Sequence, residues 1–557
     1  MAEGREGNTV DGGGSETAAP KRRLRILFVV QPGALLRFAL LIPALAERGH
    51  DVHIAFSPGG EWRKRQKRQT VGASLPQRTV DLAEELRSKY PRVTYGPAPL
   101  RPDGDGWSEV ATLVRGFADL AHNANPRYAN APHLRKRTRQ RILNPLRKGS
   151  DVEPIGRWLA LRYGSRLRST IDLERSQRVL GITARMEDAI PSSKEVDRCI
   201  RELAPDIVVA TGTFRHMSTE VEVLKSARRL GIPTGIFVTS WDNLTNKGSL
   251  KFTPELVFVW NDVQVRDAVE LHRIPRERIR TVGAHVFDEW FARTPTRTRE
   301  ELLTQLGLDP AQPYLVYLCS SGNIATNDEH AFVDEWLRAL RASTDERLRR
   351  INVVVRPHPN AQQRTTALPV ENAVVWPVGG AYPVAADARA DFFDTLFHSS
   401  AVVGINTTAM IEAAIVGKSV LTVLVGDFDQ QSTLHFRYLL TENGGFLHVA
   451  PTLEEHLEQL GRVLDEDAEG AERRRRFVES FVRPGGIDRP AAPIGAAAIE
   501  ELADLPVQSG TRPGTRALRA GLSVEAALNR AYASYRRVRT GGRSGGEVAP
   551  HPRETPG

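Results

Sequence analysis

The sequence predicts an α/β chain of two parallel-sheet domains facing a cleft, with a helical insertion in the first domain and disordered termini. Three observations predict it. Arg25 to Val30 is an apolar strand, Gln31-Pro32-Gly33 a turn, Leu35 to Glu47 a helix, Arg48-Gly49-His50 a stop and Val52 to Phe56 a second strand, a βαβ opening. The same grammar returns far downstream, where the β-branched run Val402 to Ile405 meets Asn406-Thr407-Thr408, an amphipathic segment follows, Gly417 stops it, and Ser419 to Val425 is apolar again. Finally, a chain of 557 residues exceeds what one hydrophobic core serves.

Taken in order, residues 1–22 read as a polar leader and 23–291 as the first domain. A basic, largely helical insertion runs from about Glu61 to Ser193, and the sheet resumes at Ile207 to Ala210, Ile236 to Thr239 and Leu256 to Val259. Pro295 to Arg299 is a linker. The second domain, 300–477, opens on the helix Glu300 to Leu306 and carries strands at Tyr314 to Cys319 and Ile351 to Val355. A Pro-Gly-Gly break at 484–486 precedes a helix from Ile494 to Leu502 within the segment 478–504. Residues 505–557 are rich in Gly, Arg, Pro and Ser and read as a mostly disordered basic tail, with a short helix over Val524 to Tyr535.

No stretch is long and apolar enough to span a bilayer, because Asn406, Glu412 and Lys418 interrupt the best candidate. The N-terminus has no apolar signal core, and the two cysteines, Cys199 and Cys319, read as reduced thiols, so the expected location is cytoplasmic. The net charge is +9, concentrated in Arg63 to Arg68, Arg135 to Lys148 and Arg512 to Arg543. The first two patches suggest docking on an anionic membrane surface, which places the protein peripherally on the inner face of the cell membrane. Without an interleaved aromatic platform or a reading helix, nucleic acid is not an expected partner.

Chemistry concentrates in the second half. Thr407 and Thr408 sit at a helix start, where hydroxyls and free N–H groups favour a phosphate; Glu412, one turn in, suits the two hydroxyls of a ribose. Arg356-Pro357-His358-Pro359 follows a strand, so Arg356 and His358 project from a carboxyl edge where open parallel sheets bind ligands. Ser321 and Gly322, after another strand, offer backbone N–H groups. Gly417-Lys418-Ser419 imitates the end of a P-loop but precedes a strand, which excludes a Walker site. Asp427-Phe428-Asp429 imitates a metal motif; with Arg356, His358 and the helix tip available to neutralise a leaving diphosphate, no metal is assigned.

These motifs resemble the donor-binding half of GT-B glycosyltransferases, most closely bacterial capsule, sialic-acid and polyglycerol-phosphate transferases with a His-Pro motif. The resemblance covers roughly Tyr314 to Phe446. It implies two Rossmann-like domains, a return helix packed on the first of them, and donor-sugar contacts from Asp429 and Gln430 in Asp429-Gln430-Gln431. The opening unit is similar as well, with one departure: where such enzymes commonly carry a His at the first helix start, this chain has Ala34-Leu35-Leu36 and then Arg37.

On the acceptor side, Ser240 to Gly248 follows a strand and faces the expected cleft. Trp241 suits a sugar ring, Asn243 a hydroxyl, and Asp242 the acceptor proton as general base, with His216 the alternative base. Asp242 and His358 are therefore the catalytic candidates. The expected activity is metal- and cofactor-independent transfer of a glycosyl or polyol-phosphate group from a nucleotide-sugar or CDP-polyol donor to a surface-glycan or lipid-linked acceptor. A non-hydrolysing nucleotide-sugar 2-epimerase and an inactive GT-B scaffold are the alternatives.

Overall fold

The computed structural model describes residues 22–57, 75–167, 169–321, 329–359, 368, 370–380, 385–425, 433–465, 468–507 and 514–541. The first domain starts with β1 (Arg25–Val30), a 3-10 segment at Pro32–Phe38, α1 (Leu41–Glu47) and β2 (Asp51–Phe56). The sequence predicts a single helix from Leu35 to Glu47; instead a 3-10 segment that opens on Pro32 and buries Leu35 and Phe38 precedes α1. β3 (Val93–Pro97) pairs in parallel with β2. The insertion therefore begins after β3 and not at Glu61, and consists of α2 (Trp107–Asn123), α3 (Pro132–Arg147), α4 (Pro154–Gly164), α5 (Leu173–Ala189) and a further helix at Lys194–Leu203. β4 (Ile207–Thr211), β5 (Thr234–Phe237), β6 (Leu256–Val259) and β7 (Ile279–Thr281) complete a parallel sheet of order β3-β2-β1-β4-β5-β6-β7.

Both faces of that sheet are covered, which is why its strands read as continuous apolar runs. Ile26, Phe28 and Val30 belong to one core, packed with α1, while Leu27 and Val29 belong to the core on the opposite face. The second domain repeats the plan with β8 (Tyr314–Leu318), β9 (Asn352–Arg356), β10 (Ala373–Val375), β11 (Ala401–Gly404), α6 (Ala409–Ile415), β12 (Val420–Val423) and β13 (His448–Ala450). Its order is β10-β9-β8-β11-β12-β13. In each sheet the strand order reverses beside the first strand, between β1 and β4 and between β8 and β11, and a ligand crevice opens at such a point.

After a helix at Ala468–Phe477 the chain crosses back. Phe481 and Val482 pack in a core that also holds Trp241, Trp260 and Phe287 of the first domain, so the two domains share apolar packing. α7 (Ala491–Glu500) then lies on α1. Asp288 fixes this return: its carboxylate accepts Arg483 Nη2 at 2.9 Å and the backbone N–H groups of Ala491 and Ala492 at 3.0 and 2.8 Å. At the far end of α7, Glu500 receives Arg48 Nη2 at 2.8 Å and stands 2.9 Å from His50 Nε2.

The tail departs from expectation. Thr515–Gly541 forms one long helix, α8, along α5 and α2, although sequence composition predicted disorder with a short helix. Its buried Ala526 joins a core with Val110, Val114 and Ile190, and Asn529 Oδ1 accepts the N–H of Glu153 at 2.9 Å. Tertiary packing, not helix propensity, accounts for its length.

Arg483 is buried against Asp288 and stacks 3.6 Å from the Phe291 ring centroid. Asp288→Ala leaves that guanidinium uncompensated and uncaps α7, and is expected to destabilise the protein by about 3–5 kcal/mol. Urea unfolding measures this, and a loss below about 1 kcal/mol, the scale of an exposed pair, shows that the junction is held by apolar packing alone.

Candidate functional site

The carboxyl edges of the two sheets face one another across a cavity of about 290 Å³. The second domain supplies Ser321 after β8, His358 after β9, and Asn406, Thr407 and Thr408 after β11. The first domain supplies Arg37 from the 3-10 segment, Arg215 after β4, and Ser240, Asp242 and Lys247 after β5. Arg137 and Arg141 reach in from α3, and four residues apart they share one helix face. His435 completes the wall.

Charge is the dominant feature of this wall. Five cations, Arg37, Arg137, Arg141, Arg215 and Lys247, face Asp242, the one carboxylate among the described residues that line the cavity. Burial pulls the Arg37 guanidinium below its ordinary range, against the opposing charges of Asp242 and Glu412. Arg37 Nη1 is tethered to the carbonyl of Thr239 at 2.6 Å. Lys247 is likewise lowered by burial, and Asp242 partly restores it. Arg137 Nη2 donates to Asn246 Oδ1 at 2.6 Å, which docks the insertion onto the cleft floor.

Asp242 is not placed as a proton acceptor. Burial acts to raise its carboxyl, but Lys247, His435, a hydrogen bond from Ser240 at 2.7 Å and Arg37 together hold it well below the usual carboxylate range. A group so acidic binds a proton too weakly for an efficient general base, whose pKa belongs near the working pH. Its role is that of a fixed anion among cations.

Several other residues singled out from sequence do different work. Trp241 lines the cavity but is only 3% exposed; its Nε1 donates to Thr408 Oγ1 at 3.1 Å and its ring meets His435 edge-on at 4.6 Å, so it is a buried brace between the domains more than an open platform for a sugar. Asn243 is buried, with Oδ1 accepting the N–H and hydroxyl of Thr239 at 3.1 Å each, a loop brace instead of an acceptor contact. Arg356 turns away from the cleft: its Nη1 donates to Asp391 at 3.0 Å and Thr395 at 2.7 Å over the Phe392 ring. Asp391 also accepts Trp376 Nε1 at 3.0 Å and Arg297 at 2.9 Å, so Arg356 is held in a buried network beside the His358 turn and is not among the residues that line the cavity. His216 stands 3.8 Å from Asp119 in a second cavity, outside the cleft.

His358 does line the cavity, and burial lowers its pKa, leaving a neutral imidazole at pH 7. Thr407 and Ser321 line it too. The helix that Thr408 opens is only seven residues long and its cap side chain makes no cap bond, so the positive character of the cavity comes from the cations more than from a helix dipole. Glu412 lies near Arg37; burial raises its carboxyl to about 7, with Arg37 opposing. Gly322, Asp429 and Gln430 lie outside the described residues, as do Arg63 to Arg68. Among the described residues, no group of three or more His, Cys, Asp or Glu side chains is arranged to hold a metal.

Sequence reasoning missed Arg37, Arg137, Arg141, Arg215, Lys247 and His435 as parts of one site. A signal existed for three of them: Arg37 stands where the resembling enzymes place a His, and Arg137 and Arg141 share helical spacing inside a run read as a surface patch.

Two doubly wound parallel sheets, one cleft between their carboxyl edges, and a chain that returns to the first domain decide the architecture. The fold is GT-B. No protein-family model matches the sequence, and no curated protein matches it. Among solved structures the chain is similar to the UDP-GlcNAc 2-epimerase from Neisseria meningitidis bound to UDP-GlcNAc, at 10% identity and a TM-score of 0.44, covering 86% of this chain and 100% of that one. It is similar also to a glycosyltransferase from Rickettsia africae, at 10% identity and a TM-score of 0.44, covering 86% and 98%. A third is the UDP-GlcNAc 2-epimerase from Methanocaldococcus jannaschii in complex with UDP-GlcNAc and UDP, at 10% identity and a TM-score of 0.43, covering 85% and 98%.

Two predictions follow from the geometry. In the unfolded chain Glu412 has its ordinary pKa of 4.5, and in the fold about 7, so protonated Glu412 favours the folded state. That contribution is complete below pH 4.5 and lost as pH rises through about 7. Glu412→Gln is therefore expected to match the wild type in stability near about pH 4 and to exceed it by up to about 3 kcal/mol near about pH 8. Unfolding at both pH values checks this, and an equal difference at the two refutes the buried carboxyl.

His358 and Arg356, two residues apart, separate by phenotype. His358→Ala is expected to keep the melting temperature and weaken nucleotide binding by about 1.5–3 kcal/mol, whereas Arg356→Ala takes a buried guanidinium from Asp391, which keeps Arg297 and Trp376, and destabilises the fold by about 1–3 kcal/mol. Thermal melts with and without nucleotide read both, and reversed phenotypes refute the assignment.

Proposed function

We propose that the protein is a transferase that moves a glycosyl or polyol-phosphate group from a nucleotide-activated donor to an acceptor hydroxyl. The single observation that carries the reading is the cleft's charge: five cations converge on a cavity that lies at the switch points of both sheets. The leaving group, a nucleoside diphosphate in glycosyl transfer or a nucleoside monophosphate in polyol-phosphate transfer, develops negative charge as its bond to the transferred group breaks, and fixed cations in a partly desolvated site stabilise that charge. The donor lies against Ser321, His358 and Thr407 of the second domain, and the acceptor enters from the first. The acceptor hydroxyl attacks the transferred centre, the bond to the leaving oxygen breaks, and the hydroxyl proton passes to the neutral imidazole of His358.

A second cavity adjoining the cleft favours transfer over epimerisation, since an epimerase needs no acceptor site. Docking on an anionic membrane keeps less support from the helical part of the insertion: Arg137 and Arg141 are taken up by the cleft, and Arg135 donates to the carbonyl of Ala129. Among the described residues no helix is long and apolar enough to cross a membrane.

A thermal-shift screen over UDP, GDP, CMP, CDP and dTDP conjugates identifies the donor, because a ligand of the folded state raises the melting temperature. Incubation with the best conjugate, labelled in the transferred group, then decides the reaction. Slow release of the free group is the expected outcome, and His358→Ala is expected to lower it about a hundredfold or more. Epimer formation supports the 2-epimerase, and binding without turnover supports an inactive scaffold.

A further inference from the structure

The insertion encloses a larger cavity, of about 770 Å³, beside the cleft. Its volume falls within the roughly 300–1,000 Å³ of sites that bury a small organic ligand. The walls come from α2, α3, α4 and the segment after β4. Phe117 and Leu120 of α2, Leu143 and Leu146 of α3, Ala160 of α4 and Met217 supply apolar lining, with Thr112, Thr138, Gln140 and Asn144 as polar neighbours. Four residues, Arg141, Arg215, Asn246 and Lys247, line both this cavity and the cleft, so the two meet along a cationic rim. Acidic groups are present as well: Asp119 is neutralised by buried Lys251 and Asp151 pairs with Arg536 at 2.8 Å, while Asp103 and Glu109 lie toward the start of α2.

A chamber with apolar side chains from α2, α3 and α4 among polar ones thus shares with the cleft a rim whose three cations border the proposed transfer site. We propose that the chamber holds the apolar chain of an amphiphilic acceptor and that Arg141, Arg215 and Lys247 hold its phosphate. Burial of a chain against the apolar side chains strengthens binding with each added CH₂ group, and the phosphate adds charge-assisted hydrogen bonds at the rim. The inference rests on the reading of the cleft as the transfer site, and it specifies the acceptor class.

The outer side of the same wall is consistent with such a ligand. α4 turns Ile155, Trp158, Leu159 and Tyr163 toward solvent, at 58%, 55%, 39% and 49% exposure. Arg162 lies 5.1 Å from the Trp158 ring centroid and Arg166 5.1 Å from that of Tyr163. Trp, Tyr and Arg on one short apolar stripe is the composition of a helix at a lipid–water interface, the place where an apolar-chain phosphate resides.

Calorimetric titration of the full chain tests the proposal with four probes kept below micelle-forming concentration: farnesyl phosphate, geranyl phosphate, farnesol and inorganic phosphate. Farnesyl phosphate is expected to bind at least tenfold more tightly than geranyl phosphate, and farnesol and inorganic phosphate more weakly than either. Ala160→Phe fills the chamber from α4 and is expected to abolish the gain with chain length while leaving the thermal shift by the best nucleotide unchanged. Met217→Trp, from the opposite segment, replaces it if Ala160→Phe does not fold. Farnesyl phosphate binding no better than inorganic phosphate overturns the proposal, and so does chain-length dependence that survives both filled variants. Farnesol binding as tightly as farnesyl phosphate overturns the phosphate rim. Chain-phosphate binding with no nucleotide shift leaves the chamber standing and removes the reading of the cleft.

Discussion

The cleft exists because the chain is made to return. Two parallel sheets covered on both faces have no intrinsic reason to present their carboxyl edges to each other, since each could bury its own core alone. The crossing at Phe481 and Val482 inserts apolar side chains into packing shared by both domains, and Asp288 converts that crossing into a defined joint. One carboxylate there satisfies a buried guanidinium and the first free N–H groups of α7, so the ion pair and the helix cap are the same interaction. With the joint in place, α7 lies on α1 and Trp241 of the first domain meets Thr408 of the second.

The convergence of cations in the cleft has an energetic cost that shapes the residues around it. Burial lowers Arg37 and Lys247, and the buried Asp242 carboxylate offsets part of this by remaining ionised well below its ordinary range. Five cations against one lining carboxylate leave the cavity wall with an excess of positive charge. The same balance explains why Asp242 makes a poor base, while burial keeps the His358 imidazole neutral near pH 7. It also explains the insertion's run of arginines: Arg137 and Arg141 are cleft residues delivered by a helix outside the sheet, and α8 braces that helical layer from behind.

The strands of both sheets were legible because apolar runs bounded by Gly, Pro and Asn carry their own signal; β1 and the strand before Arg356 are the clearest cases. The three-residue edge strands β7, β10 and β13 were not, since a run that short takes its conformation from the neighbour it pairs with. β3 was hidden inside a basic segment for the same reason. At the site, Thr407, Ser321 and His358 were found because each follows a strand, and the carboxyl edge of a parallel strand faces the crevice. Arg356 was misassigned by the same rule: it ends β9, one residue before the turn, so its side chain packs beside the helix carrying Asp391.

The sequence by itself determined the two βαβ domains, the strand ends that carry His358 and Thr407, and the helix that returns to the first domain, because hydrophobic period, turn residues and chain breaks act within a few residues of one another. Only the tertiary structure decided which charges meet. Arg37, Arg141, Arg215 and Lys247 come from four separate segments, and whether a given Arg faces solvent, a carboxylate or a cleft depends on contacts between residues far apart in the chain. The same holds for Trp241 and α8: an exposed-looking aromatic became a buried brace, and a tail of disordered composition became a packed helix, because burial is a property of the partner surface and not of the segment.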